Sequence, residues 1–103
     1  MAKYLFIYHG AKAPEGEDAQ QQAMAAWMSW MEGIGAALVD GGAPVGKSKT
    51  VSASGTVDDG GANPVAGYSI VEADSHAAAA RMAEGCPVHA DGGSVEVAEI
   101  LPM

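Results

Sequence analysis

The sequence predicts an α+β domain in which an antiparallel four-stranded sheet carries two helices on one face. Three observations predict it. Residues 3–9, 67–74 and 94–101 place apolar side chains at the two-residue period of strands. Residues 18–38 and 75–84 instead repeat them at steps of three and four, the period of a helix face. Glycine, proline, asparagine and aspartate cluster between these runs and mark the turns.

The first strand, residues 3–9, sets Tyr4, Phe6 and Tyr8 against Leu5, Ile7 and His9, so both of its faces are largely apolar. A loop follows over residues 10–16. Asp18 and Gln21 stand at capping-box spacing, and Glu15, Glu17 and Asp18 favour the positive end of a helix. From there Met24, Trp27, Met28, Met31, Ile34 and Leu38 form one stripe, expected to face the sheet. Trp30 falls at the edge of that stripe, as core margin or as partner surface. Gly33 and Gly35 weaken the last turns by about 1 kcal/mol each relative to alanine, and the helix is expected to end near Leu38.

Residues 39–46 read as a loop. Residues 47–54 alternate Ser48, Thr50, Ser52 and Ser54 with Lys49, Val51 and Ala53, giving a second strand whose lysines suit a sheet edge. Residues 55–66, with Asp58-Asp59-Gly60-Gly61 and Asn63-Pro64, read as a second loop. The third strand contains Tyr68, Ile70, Val71 and Ala73 and is again apolar on both sides. It runs into Asp74-Ser75, either of which can cap a helix carrying His76, Ala79, Ala80 and Ala83 on one stripe, with Gly85 past its end and Pro87 barring continuation. After Asp91-Gly92-Gly93, residues 94–101 form a fourth strand, with Val95 and Val97 on one parity and Ala98 and Ile100 on the other.

A chain of 103 residues with 49% apolar content suits one domain over residues 1–103, and no apolar run nears the ~20 residues of a membrane span. The formal net charge of −8 repels phosphate backbones, so no nucleic acid is expected as a partner. No signal-type apolar segment opens the sequence, and the single cysteine, Cys86, has no internal disulfide partner. A cytoplasmic protein with a buried, reduced thiol is expected.

The order strand, helix, strand, strand, helix, strand is the ferredoxin-like βαββαβ pattern. Two helices cover one face of such a sheet, so the second apolar face is expected to meet a second copy of the chain in a homodimer. The residues that carry this pattern resemble the YCII-related domain family, which includes the DGPF-type branch. They are Lys3-Tyr4-Leu5-Phe6-Ile7-Tyr8, Pro44-Val45-Gly46-Lys47-Ser48-Lys49-Thr50-Val51, Gly67-Tyr68-Ser69-Ile70-Val71-Glu72-Ala73-Asp74-Ser75, and Gly85-Cys86-Pro87 with Gly93-Ser94-Val95-Glu96-Val97. The resemblance implies a dimeric α/β barrel with a cleft that relatives use for small organic molecules. Two features depart from the family. The Asp-Gly-Pro-Phe signature is replaced by Asp58-Asp59-Gly60-Gly61-Ala62-Asn63-Pro64, and the first helix lacks the histidine that the enzyme-like branch pairs with an aspartate. That dyad does not carry over.

Candidate proton-transfer residues are therefore sought elsewhere, since histidine titrates nearest neutral pH. His9 ends the first strand on the parity placed at the cleft, and Asp40 after the first helix is a candidate to orient it. The plainer reading makes them a strand-end histidine and a loop aspartate. Ser48, Thr50 and Ser52 either line the cleft and anchor a ligand or face solvent. His76 sits in the first turn of the second helix, where a positive charge is disfavoured. Cys86 and His89 form a lone Cys-x-x-His, short of a metal site, and no cofactor motif is present. Two functional classes follow. One is a small-molecule binder, acting as a cofactor-independent lyase or isomerase by proton transfer in the dimer cleft. The other is a non-catalytic dimeric interaction or regulatory module.

Overall fold

A computed structural model describes residues 1–10 and 15–102, so part of the loop expected after the first strand lies outside the described residues. Strand β1 (Ala2–His9) leads to helix α1 (Glu17–Ile34), a 3-10 turn at Gly35–Ala37, and β2 (Leu38–Pro44). Then come β3 (Thr50–Ser52), β4 (Gly55–Val57), β5 (Val65–Ala73), α2 (His76–Glu84), a 3-10 turn at Pro87–Asp91 and β6 (Ser94–Glu99). The main sheet has the order β2-β5-β1-β6 with every pair antiparallel, while β3 and β4 pair with each other as a separate hairpin. With that hairpin set aside, the four sheet strands follow the ferredoxin-like arrangement. No described helix is long and apolar enough to cross a membrane.

The second sheet strand is where expectation and structure differ most. It was expected at residues 47–54 and instead occupies Leu38–Pro44, a stretch whose glycines and proline read as loop. Two register shifts against β5, after Leu38 and after Asp40, give the strand its bulges. Gly42 has a φ of 70°, and a Cβ there would run into the Tyr68 carbonyl oxygen, so only glycine lets β2 approach β5 this closely. Pro44 ends an edge strand, the place in a sheet where a missing N–H is tolerated. The hydroxyl-rich segment became the β3–β4 hairpin, with Val51 75 % and Val57 55 % exposed.

The core lies between the helices and one sheet face, built from Tyr4, Phe6, Tyr8, Val71, Ala73, Ala79, Ala83, Cys86 and Val88. Helix α1 packs through Trp27, Trp30 and Ile34, whereas Met24 and Met28 point outward at 65 % and 57 % exposure. The reason is aromatic. Tyr8 meets Trp27 edge-on at 4.8 Å between centroids, Phe6 stacks with Trp30 at 6.2 Å, and the two tryptophans meet edge-on at 5.7 Å. The helix thus turns its bulkiest pair inward, and Trp30 donates its indole N–H to the Met82 carbonyl at 3.0 Å. Gly16 precedes α1 without a side-chain capping bond, so the expected Asp18 cap is not formed. Ser75 does cap α2, accepting from the Ala78 amide at 3.1 Å. Ala79 and Ala83 are short enough to let that helix lie close on the sheet.

One polar thread crosses the apolar layer. Tyr8 donates to the Ser69 hydroxyl at 2.8 Å, and Ser69 donates to the Gly41 carbonyl at 2.8 Å, tying β1 to β5 to β2. Burial pushes the Tyr8 phenol up to about 12, so it stays a donor throughout the stable pH range. Ser69→Ala should destabilise the fold by about 1–3 kcal/mol, because it leaves Tyr8 without an acceptor and Gly41 without a donor in a dry layer. The measurement is urea unfolding, and a midpoint equal to that of the wild type would show that the thread contributes nothing.

Candidate functional site

The helices leave the other sheet face open. The parity of β1 opposite to Tyr4, Phe6 and Tyr8 presents Lys3, Leu5, Ile7 and His9. The cross-strand partners Ile70 and Tyr68 of β5 and Ala98 and Glu96 of β6 lie on the same side. Leu5, Ile7, Tyr68, Ile70 and Ala98 are half-buried there and form an apolar centre. Lys3 faces Glu72 at one end, while His9 and Glu96 stand at the other.

His9 is placed by the register of three strands. It pairs with Ser94 on β6 and with Val65 on β5, where the register slips by one residue after Tyr8, so the strand bulges beside it. Its side chain is 11 % exposed although it lies on the open face, and its Nδ1 sits 3.2 Å from the Pro64 carbonyl. Nε2 sits 3.0 Å from Oε1 of Glu96, whose side chain is 60 % exposed. Glu96 is the direct neighbour of Ile7 and reaches His9 on the diagonal. Burial by itself disfavours a charged imidazole. The Glu96 carboxylate and the carbonyls of Pro64 and Asn63 outweigh burial and hold the ring above its usual 6.5.

The other candidates fall elsewhere. Asp40 does not orient His9: it lies opposite Ile70 on the far side of β5, and its Oδ1 accepts from the Gly42 amide at 2.8 Å within its own bulge. Thr50 donates to the Asp59 carbonyl at 2.7 Å, and Ser52 bonds to Ser54 at 2.9 Å, so both hold the hairpin together. Ser48 lines an open cavity of about 360 Å³ beyond the end of β1, together with Gly10, Val45, Lys47, Asp59 and Pro64. His76 packs on Tyr4 and bonds the Val97 carbonyl at 2.7 Å, and His89 bonds the Ala83 carbonyl at 2.9 Å. Cys86 is buried and its thiol is pushed up to about 11, as expected of an inert core residue.

The sequence reading missed Glu96 as the partner of His9. The usable signal was its parity: Glu96 and Ala98 alternate with the core residues Val95 and Val97, which puts a carboxylate on the face opposite the core. Pairing it with His9 required the register between β1 and β6, which residues 87 positions apart do not announce. The YCII-related domain model matches residues 2–103. No curated protein and no solved structure matches the chain significantly.

The His9 contacts make stability pH-dependent with a defined sign. A folded-state pKa above the unfolded 6.5 means that stabilisation is fully present below 6.5 and is lost as pH rises through the raised value. The advantage of wild type over His9→Gln in urea unfolding should therefore be largest near pH 6 and shrink toward about pH 9. A difference that stays flat over that span would show that the ring gains nothing from Glu96 and Pro64.

Proposed function

The chain belongs to the YCII-related domain family, and on that premise we propose that it binds a small organic molecule in a cleft between the open sheet faces of a homodimer. In this reading the cleft performs cofactor-independent proton transfer of the lyase or isomerase type. One observation carries the reading: a nearly buried imidazole beside the apolar centre of the open face is bonded to a carboxylate that remains 60 % exposed. Leu5, Ile7, Tyr68 and Ile70 supply the apolar floor that an aromatic or lactone ring needs, and Glu96 is the member of the pair that a ligand reaches.

The shape of the chain supports a second copy. It extends 43 × 41 × 18 Å, a slab with helices on one side only. Its accessible surface is 6893 Å², against roughly 5,400 Å² from the mass scaling of compact monomers. The excess of about 1,500 Å² is nearly twice the roughly 800 Å² that each partner buries in a standard protein interface.

In the proposed chemistry Glu96 takes a proton from a carbon flanked by carbonyl groups, leaving an enolate. His9, bonded to the same carboxylate, holds it in position for the transfer. Returning the proton to a neighbouring carbon completes an isomerisation. Expelling an oxygen leaving group from the enolate, with Glu96 giving its proton to the departing oxygen, instead completes an elimination. The second reading, a dimeric interaction module, is favoured by the hairpin arm with Val51 and Val57 exposed.

Light scattering should give twice the 10.4 kDa of one chain at micromolar concentration, and Ile70→Asp should return the mass to one chain. A wild-type monomer would remove the cleft. A thermal-shift screen of small aromatic and lactone acids should then find a ligand, and Glu96→Ala should slow its turnover by about 100- to 10,000-fold while leaving the fold intact. A dimer that binds nothing in such a screen would favour the interaction module. Turnover unaffected by Glu96→Ala would end the assignment of that residue.

A further inference from the structure

Both ring nitrogens of His9 face acceptors. Nδ1 lies 3.2 Å from the carbonyl of Pro64 and Nε2 lies 3.0 Å from the carboxylate of Glu96. A neutral imidazole carries one N–H and satisfies one of the two, whereas the imidazolium carries two and satisfies both. The two contacts join different parts of the chain: Glu96 belongs to β6 of the main sheet, and Pro64 belongs to the loop between the hairpin and β5. That loop is also a wall of the 360 Å³ cavity, through Asp58, Asp59, Gly60 and Pro64. Gly60 is wedged so tightly that a Cβ there would lie 2.6 Å from the Pro64 side chain and 3.0 Å from that of Ser48. A movement of Pro64 therefore reaches Gly60 and Ser48 across the cavity wall.

We propose that His9 is a proton-operated latch, whose doubly protonated ring clamps the loop at residues 58–64 to the sheet end and whose deprotonation releases it, opening the cavity wall. The order of loss follows from acceptor strength. The carboxylate is the stronger acceptor, so a neutral ring keeps its one N–H on Nε2 toward Glu96. Nδ1 then presents a lone pair to the Pro64 oxygen, and attraction turns to repulsion.

The groups around the ring leave Glu96 in control. Asp58 is bonded to Lys49, and Asp59 accepts from the Gly61 amide within the loop's own turn. On β5 the residue opposite His9 is Val65, and on β6 it is Ser94. Lys3, six residues back along β1, is paired across the sheet with Glu72. The latch adds regulation to the candidate site described above. It depends on contacts within one chain, so absence of a ligand or of a dimer leaves it standing.

The test is nuclear magnetic resonance on the full chain labelled with ¹⁵N, titrated from about pH 5.5 to 9, a span centred above the ordinary imidazole value of about 6.5. The His9 ring should show two N–H nitrogens at the acid end, with a midpoint above that of an ordinary histidine. The backbone amides of Gly60, Asn63 and Val65 should shift with the same midpoint, while those around His76 and His89 do not follow it. In Glu96→Gln the amide can donate to Nε2 of a neutral ring, which leaves Nδ1–H on Pro64 at every pH. The loop amides should then lose their titration, and the ring midpoint should fall. A ring that is neutral at pH 5.5 would overturn the proposal. So would a ring that titrates while the loop amides stay still, or loop amides that titrate as strongly in Glu96→Gln. The wild-type titration decides the matter even if that variant fails to fold.

Discussion

Strand β1 has two faces with different duties, and the rest of the molecule is arranged around that division. Tyr4, Phe6 and Tyr8 face the helices, while Leu5, Ile7 and His9 face away from them. Because β1 is a central strand with β5 on one side and β6 on the other, its alternation is imposed on both neighbours. A slip of one residue would bring Leu5 and Ile7 under the tryptophans and send three aromatic rings to the open side. The strength of the aromatic contacts under α1 is thus also what holds His9 to the open face.

The core compensates for a thin second helix. Alanines at 79 and 83 bury little surface each, and α2 gains its place by lying close to the sheet under a sound serine cap. Helix α1 has no fully buried residue and depends on two tryptophans that lie flat or edge-on against Phe6 and Tyr8. The Tyr8, Ser69 and Gly41 thread then joins three strands beneath them. It gives the bulged β2 a directional attachment that its glycines and short side chains do not supply by packing.

Bulges do the remaining positioning. The slip of β5 opposite His9 brings the Pro64 carbonyl to the ring, and the double slip of β2 turns the Asp40 carboxylate back on its own backbone. Besides Glu72, which faces Lys3 at the far end, the open face had two carboxylates to offer the histidine. The one on the regular strand β6 met the histidine, while the one on the irregular strand β2 was consumed locally.

Local pattern was enough to read β1, β5, α2 and β6, because each carries its own period and its own stop signals within about ten residues, though it left the α2 cap open between Asp74 and Ser75. The element order, the two-sided character of the sheet and the placement of His9 at a strand end followed from the same patterns. Tertiary structure decided the rest. Residues 38–44 became a strand because β5 offered an edge and Gly42 could approach it, a fact about a neighbour more than twenty residues away. Trp30 moved from the edge of the α1 stripe to join Trp27 on the inner face, and Met24 and Met28 left it, because aromatic partners waited on β1. Glu96, not Asp40, met His9 because strand register is a property of paired chains, and no single stretch of sequence contains it.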